Sequence, residues 1–125
     1  MNYFDTHGNY ATVTLLAAAE ITATGNGSGV DMLNYAGKAK IIVISSAGTG
    51  TSPTLDLKIQ ASADNSTWAD VSGATFTQIV DAATVEAIGV DLNSAARYLR
   101  VVKTAGGTTP SFYAGVVAIC AQEQR

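Results

Sequence analysis

Hydrophobic and polar residues alternate with a period of two along most of this chain. From Leu55 to Ser62, Leu55, Leu57, Ile59 and Ala61 fall on one side, and Asp56, Lys58, Gln60 and Ser62 on the other. Such strict alternation predicts a half-buried strand with its polar face in solvent. Thr75–Val80 repeats the pattern, with Phe76 opposite Thr77, and Thr84–Leu92 predicts a further strand. Two segments are apolar at odd and even positions alike. Lys40–Ser46 reads Lys-Ile-Ile-Val-Ile-Ser-Ser, a run of β-branched residues that predicts a strand buried on both faces. Ser111–Ala121 carries Phe112, Tyr113, Val116, Val117, Ile119 and Cys120 and predicts the last strand.

Turn chemistry punctuates these runs. Thr24–Gly29 and Ala47–Pro53 are Gly/Ser/Thr-rich loops, Asp64-Asn65-Ser66 and Ser72-Gly73 are turns, and Ala105-Gly106-Gly107 separates a strand at Arg97–Thr104 from the last one. Asn93 is placed to cap one helical turn before Ala96. Ala11–Ile21, Thr- and Val-containing, predicts a first strand or strand pair, and Trp68–Val71 another. The sum is all-β: an antiparallel, jelly-roll-like β-sandwich of seven to eight short strands, with turn signals at the spacing such folds use. Residues 1–10 form an N-terminal arm carrying Tyr3, Phe4 and Tyr10, and residues 11–125 form a single sandwich domain.

Composition changes this picture in one respect. Hydrophobic residues make up 47% of the 125 and charged residues only 14%, so an ordinary core exists without staples, but charge to solvate the surface is scarce. A two-layer sandwich covers one face of each sheet. Apolarity on both faces of 41–44 and 112–120, together with Tyr98 and Val102 alternating against Leu99 and Val101, predicts a surplus that is buried between subunits or, alternatively, under neighbouring loops or the N-terminal arm. The candidate contact residues are Tyr3, Phe4, Tyr10, Tyr98, Phe112 and Tyr113. Trp68, at the start of a strand after a turn, is expected to be a structural anchor that buries its ring against the sheet.

Candidate chemistry is sparse. One histidine, His7, lies in the arm, and one cysteine, Cys120, lies on an apolar strand without a base beside it, so neither a nucleophile–base pair nor a zinc site is expected. Asp64, Asn65, Asp70 and Asp81 lack the spacing of a calcium loop and suit turns instead. Asp56 and Glu86 lie on polar strand faces, where solvated charge is expected rather than a hydrolytic pair. Neither catalysis nor a cofactor is expected. Net charge is −3 with seven scattered Lys and Arg, which disfavours nucleic acid and anionic membranes as partners. Met1–Asp5 has no basic region followed by an apolar run, so no signal peptide is expected, and folding in a cytoplasm is the consequence.

Leu55–Gln60 followed by Ser62-Ala63-Asp64-Asn65-Ser66-Thr67-Trp68-Ala69-Asp70-Val71, then Val90-Asp91-Leu92 and Arg97–Val102, resembles a segment of tailed-phage virion proteins of the decoration, cement or head-fibre kind. The resemblance spans residues 39–121. It implies a sandwich seated on the outside of an assembled head, a major capsid protein as partner, a homo-oligomer with a trimer favoured, and assembly in the host cytoplasm into the virion. The strand, Asp-Asn-Ser-Thr-Trp, strand unit is also similar to carbohydrate-binding and discoidin-like jelly rolls, which keeps a glycan-binding or host-adhesion module as the alternative.

Overall fold

The computed structural model describes residues 10–122. All of its regular structure is β: β1 (Tyr10–Ile21), β2 (Gly25–Asn26), β3 (Val30–Asp31), β4 (Tyr35–Ser45), β5 (Thr49–Ser62), β6 (Ala69–Thr75), β7 (Thr84–Asp91) and β8 (Tyr98–Gln122). Every pairing is antiparallel. The protein is thus an antiparallel β-sandwich. One sheet runs β1, the C-terminal half of β8, β4, β7. The other runs β2 and β3, the N-terminal half of β8, β5, β6. The expectation of short strands fails at β8, which is 25 residues long and belongs to both sheets.

That length overturns the turn expected at Ala105–Gly107. The Gly-Gly pair supplies flexibility, but β5 pairs with β8 straight through it, from Thr49 opposite Ser111 to Ser62 opposite Tyr98. The two strands bend together from one sheet to the other, with register shifts between Thr49, Thr51 and Thr54. Positive φ is concentrated there, at Gly50, Ser52, Gly107 and Thr109. Gly107 (φ 97°) lies so close to β5 that a Cβ would collide with the Ser52 carbonyl oxygen, so glycine is required on both grounds. The expected loop at Ala47–Pro53 shrinks accordingly, because β5 begins at Thr49.

The bend also changes which parity faces inward. In the N-terminal half of β8, Leu99 and Val101 are buried, at odd positions. In the C-terminal half, Phe112, Ala114, Val116, Ala118 and Cys120 are buried, at even positions. A bulge adds one residue to a strand and flips every side chain beyond it. Between the sheets these residues meet Leu15 and Ile21 of β1, Ile41 and Val43 of β4, and Leu55, Leu57 and Ile59 of β5 in one core.

Other boundaries shift for local reasons. Thr75–Val80 is not a full strand: Phe76 and Ile79 drop into the core, hydrogen-bonded to Leu57 and Leu55, while Thr77 donates to Glu86 on β7. The Thr24–Gly29 loop contains the two-residue β2. After β7 it is Asp91, not Asn93, that caps the turn. Its side chain accepts from the Asn93 N–H and its carbonyl from the N–H groups of Ser94 and Ala95, while Asn93 accepts from the Gly37 N–H.

Candidate interaction face

The strand pairings fix the layout of the outward side of the β1–β8–β4–β7 sheet. Because even positions of β8 point into the core here, Tyr113, Gly115, Val117, Ile119 and Ala121 point out. On β4 the outward residues are Ile44 opposite Gly115, Ile42 opposite Val117 and Lys40 opposite Ile119, with Lys38 beyond them. On β7 they are Val85, Ala87, Gly89 and Asp91, opposite Ile44, Ile42, Lys40 and Lys38 in turn. On β1, Glu20 lies opposite Tyr113, Thr14 opposite Val117, Thr12 opposite Ile119 and Tyr10 opposite Ala121. Gly115 has no side chain because Ala18 crosses above it, at 3.1 Å from where a Cβ would sit.

The centre of this face is apolar and open to solvent. Val85 is 72% exposed, Tyr113 61% and Ile44 58%. The expectation of a strand buried on both faces at Lys40–Ser46 is therefore corrected: Ile41 and Val43 are buried, whereas Ile44 on the opposite face is exposed among the described residues. A shallow groove of about 470 Å³ runs over the face between Leu16, Ala18, Ile44, Tyr113, Gly115 and Val117. Charge is confined to the ends. Lys38, Lys40 and Asp91 mark one end. Glu20 marks the other, where it accepts a hydrogen bond from the Ser111 hydroxyl at 2.7 Å.

The outer side of the second sheet is built oppositely. Asp70 accepts from Gln60 and Lys58, and these bonds, Gln60 first, hold its carboxyl below the usual aspartate range. Arg100 donates twice to the Gln60 side-chain oxygen and lies 4.4 Å from the centre of the Trp68 ring. Asp56 accepts from Gln78. At the sheet's far edge Asp31 pairs with Arg97 at 2.7 Å, a bond that lowers the aspartate's pKa and raises the arginine's. Among the described residues the sandwich thus presents one hydrogen-bonded polar side and one apolar side open to solvent.

The residues singled out from the sequence scatter across this framework. Tyr3, Phe4 and His7 lie outside the described residues. Tyr10, expected in the arm, is the first residue of β1, half exposed at the lysine end of the apolar face. Tyr113 is at the opposite end. Tyr98 belongs to the other sheet, half-buried, with the Arg97 guanidinium 5.1 Å from its ring centre. Phe112 is corrected: it is wholly buried against Gly48, and the parity of β8 removes it from any surface. Trp68 is half-buried but is not part of the core; it is clasped between Arg100 and the Gly29 backbone. Val85, Ile44 and Ile119 were not singled out, although Ile42-Ile44 and Val85-Ala87 share one parity, the signal that marks them.

Elsewhere every buried side-chain polar atom among the described residues has a hydrogen-bond partner. Asp64 accepts from the N–H groups of Thr67 and Ser66 and from the Ser62 hydroxyl; these bonds, Thr67 first, lower its pKa and leave it a turn former. Cys120 is buried on the core side of β8, and burial pushes its thiol pKa up, away from reactivity. Among the described residues no three His, Cys, Asp or Glu side chains converge in a manner that suits a metal ion.

Fold and face together define an antiparallel β-sandwich with one solvent-exposed apolar sheet face. No protein-family model matches the chain, and no curated protein matches it. Solved structures do share the fold. The SPBc2 prophage-derived protein YomS is 14% identical, with a TM-score of 0.54 over 90% of this chain and 93% of its own. The structure of the Gt strain of infectious bursal disease virus is 12% identical, with a TM-score of 0.53 over 90% of this chain and 33% of that one. The VP2 subviral particle of the same virus gives 14% and 0.51. This chain spans about a third of the length of those viral proteins.

Proposed function

We propose that this chain is a structural protein of a phage particle, of the decoration or cement kind: it attaches to the outside of an assembled head and stabilises the shell through contacts with the major capsid protein and with its own copies. The observation that carries the reading is the exposed apolar side of the β1–β8–β4–β7 sheet, set against a polar side laced by side-chain hydrogen bonds. Apolar surface in a contiguous patch of this kind is stable in solution only at a cost, which burial in an assembly removes. Recurrence of the fold in a prophage-derived protein and in a VP2 subviral particle supports the same reading.

The mechanism is mass action without a chemical step. A subunit that binds the finished shell and not its dissociated parts lowers the free energy of the shell, by about 2.7 kcal/mol per site at a hundredfold excess over Kd. Repetition over a symmetric lattice multiplies that term. Tyr3, Phe4 and Tyr10 are the proposed capsid anchors, as large amphipathic rings suit such contacts. A glycan platform is less well supported, since one face of the Trp68 ring is covered by Arg100.

The test is co-sedimentation with assembled heads of the phage that carries this chain. The wild-type chain is expected to pellet with heads and to raise their resistance to heat. Removal of residues 1–9, which leaves β1 whole, is expected to abolish pelleting with an unchanged circular dichroism spectrum. A wild-type chain that stays in the supernatant refutes the proposal.

A further inference from the structure

We infer that the open edge of β7 pairs with β7 of a second copy of this chain, antiparallel about a two-fold axis at Ala87, and so joins two four-stranded sheets into one of eight strands. The inference goes beyond the shell-binding reading, because backbone groups of an edge carry it rather than the apolar face.

The sheet ends at β7, whose strand partner is β4. In an antiparallel ladder, residues of one strand bond alternately toward the neighbour and away from it. The Leu92 N–H donates to the Gly37 carbonyl at 2.8 Å, and this pair continues the β4–β7 register, which has no shift from Lys38–Asp91 to Ser45–Thr84. Even positions of β7 therefore bond to β4, and odd positions turn their N–H and C=O groups to the open edge. Asp91 agrees, since its carbonyl accepts from the N–H groups of Ser94 and Ala95, outside the ladder. That turn ends the free run. Val85, Ala87 and Gly89 are left with a donor and an acceptor each, and no strand receives them among the described residues.

The other edges are blunted. β1 shifts register twice against β8, β6 shifts once against β5 and contains Gly73 at positive φ, and β2 and β3 have two residues each. β7 has no bulge, proline or lysine, the devices by which sheet edges avoid pairing. Its one charged residue before Asp91 is Glu86, whose carboxylate is held by the N–H and hydroxyl of Thr77.

A second copy fits this edge because the three free residues are symmetric about Ala87. With Ala87 opposite the partner's Ala87, Val85 falls opposite the partner's Gly89, and Gly89 opposite the partner's Val85. Each pair exchanges two hydrogen bonds, which uses every free group on both strands. Side chains directly opposite share one face, and size favours this register: Val85, 72% exposed, lies beside a glycine around whose missing Cβ there is open space. On the inner side Thr84 meets the partner's Val90 and Glu86 meets the partner's Ile88, so no like charges are directly opposite. An axis at Ile88 would instead bring in Asp91, whose carbonyl is taken.

A two-fold axis normal to the sheet keeps both outward faces on one side, so the pair offers an assembly one apolar face twice as wide. An edge contact of this length buries less than about 1,200 Å², the range of weak association, and it closes at two subunits. Dimers are therefore expected at high micromolar concentration in solution, and more readily where subunits are held close together on a surface. Two-fold pairing differs from the trimer that the phage resemblance implies.

Sedimentation velocity and cysteine cross-linking test the pairing on the full chain. The wild type is expected to pass from monomer to dimer through the micromolar range. Ala87 is exposed, and Ala87→Lys sets two ammonium groups opposite each other; it is expected to weaken the dimer at least about tenfold with an unchanged circular dichroism spectrum. Under oxidation Ala87→Cys is expected to give a covalent dimer, since the Cα atoms of a hydrogen-bonded pair lie about 5.5 Å apart, within disulfide reach. Val85→Cys is expected not to cross-link, because its two copies lie about 13 Å apart along the strand. Cys120 is buried and does not compete. A wild type that stays monomeric overturns the pairing, as does a dimer that Ala87→Lys leaves intact. Cross-linking through Val85→Cys but not Ala87→Cys overturns the register. A dimer lost on removal of residues 1–9 also overturns the pairing, because the arm is then the occupant of the edge. Head binding is read separately: a dimer that ignores heads sinks the decoration reading alone, and a monomer that binds them sinks the pairing alone.

Discussion

Phe112 and Tyr113 are adjacent aromatics on one strand with opposite fates. Phe112 is wholly buried between the sheets, and Tyr113 stands 61% exposed on the outer side. Phe112→Ala is expected to cost about 3–5 kcal/mol, because the ring leaves a cavity that the sandwich cannot collapse into. Tyr113→Ala is expected to change stability by no more than about 0.5 kcal/mol. Chemical denaturation of the two variants measures the contrast directly. Asp64 acts at the same scale through its proton. Its carboxylate is held by Thr67, Ser62 and Ser66 only in the folded state, so its folded pKa lies below the unfolded one. That contribution is present above the unfolded value and is lost as pH falls through the folded one. Asp31 and Asp70 are lowered too and act in the same direction. The denaturation midpoint is therefore expected to hold from neutral pH to the ordinary aspartate range and to fall below it, with a shallower fall in Asp64→Asn.

At the scale of elements, the bend that β5 and β8 make together decides the architecture. It carries two strands from one sheet to the other without a loop, and it places positive-φ residues on both strands where the backbones are closest. Gly107→Val is expected to destabilise the protein by at least about 1–3 kcal/mol, from a backbone conformation that β-branched residues avoid, with a steric clash against Ser52 added. Thermal unfolding of that variant beside Gly73→Val, also at positive φ but with open space around it, separates strain from collision. Gly106-Gly107 looks like a turn when only its neighbours in sequence are considered. It is a corner because β5, some fifty residues earlier in the chain, pairs across it.

At the scale of the whole molecule, the two outer sides of the sandwich predict opposite responses to charge. Val85→Glu places a carboxylate on the apolar side, at its edge strand β7, and is expected to abolish self-association and head stabilisation together, with little change in folding stability, since Val85 already faces water. Lys58→Ala, on the polar side, removes only an exposed, solvent-screened ion pair with Asp70 and is expected to leave assembly untouched. Light scattering of both variants provides the comparison. Asymmetry of this kind gives a subunit a defined orientation: one side toward the assembly, the other toward solvent.

The sequence by itself determined that the chain folds into strands, because a period of two and β-branched residues leave no helix to compete. It also determined that apolar side chains outnumber what two inner faces hold, since Lys40–Ser46 and Ser111–Ala121 are apolar at both parities. It left open which parity faces in. Where both faces of a strand are apolar, alternation carries no sign, and only the register with β4 and β5 assigns Phe112 to the core and Tyr113 to the surface. Trp68 was expected to bury its ring as a core anchor, whereas it lies half-buried outside the core, because Arg100, the partner over its ring, arrives from a strand distant in sequence. The exposed face of Val85, Ile44 and Ile119 exists only once three strands far apart in the chain are laid side by side, and that adjacency is fixed by long-range backbone pairing rather than by any local pattern.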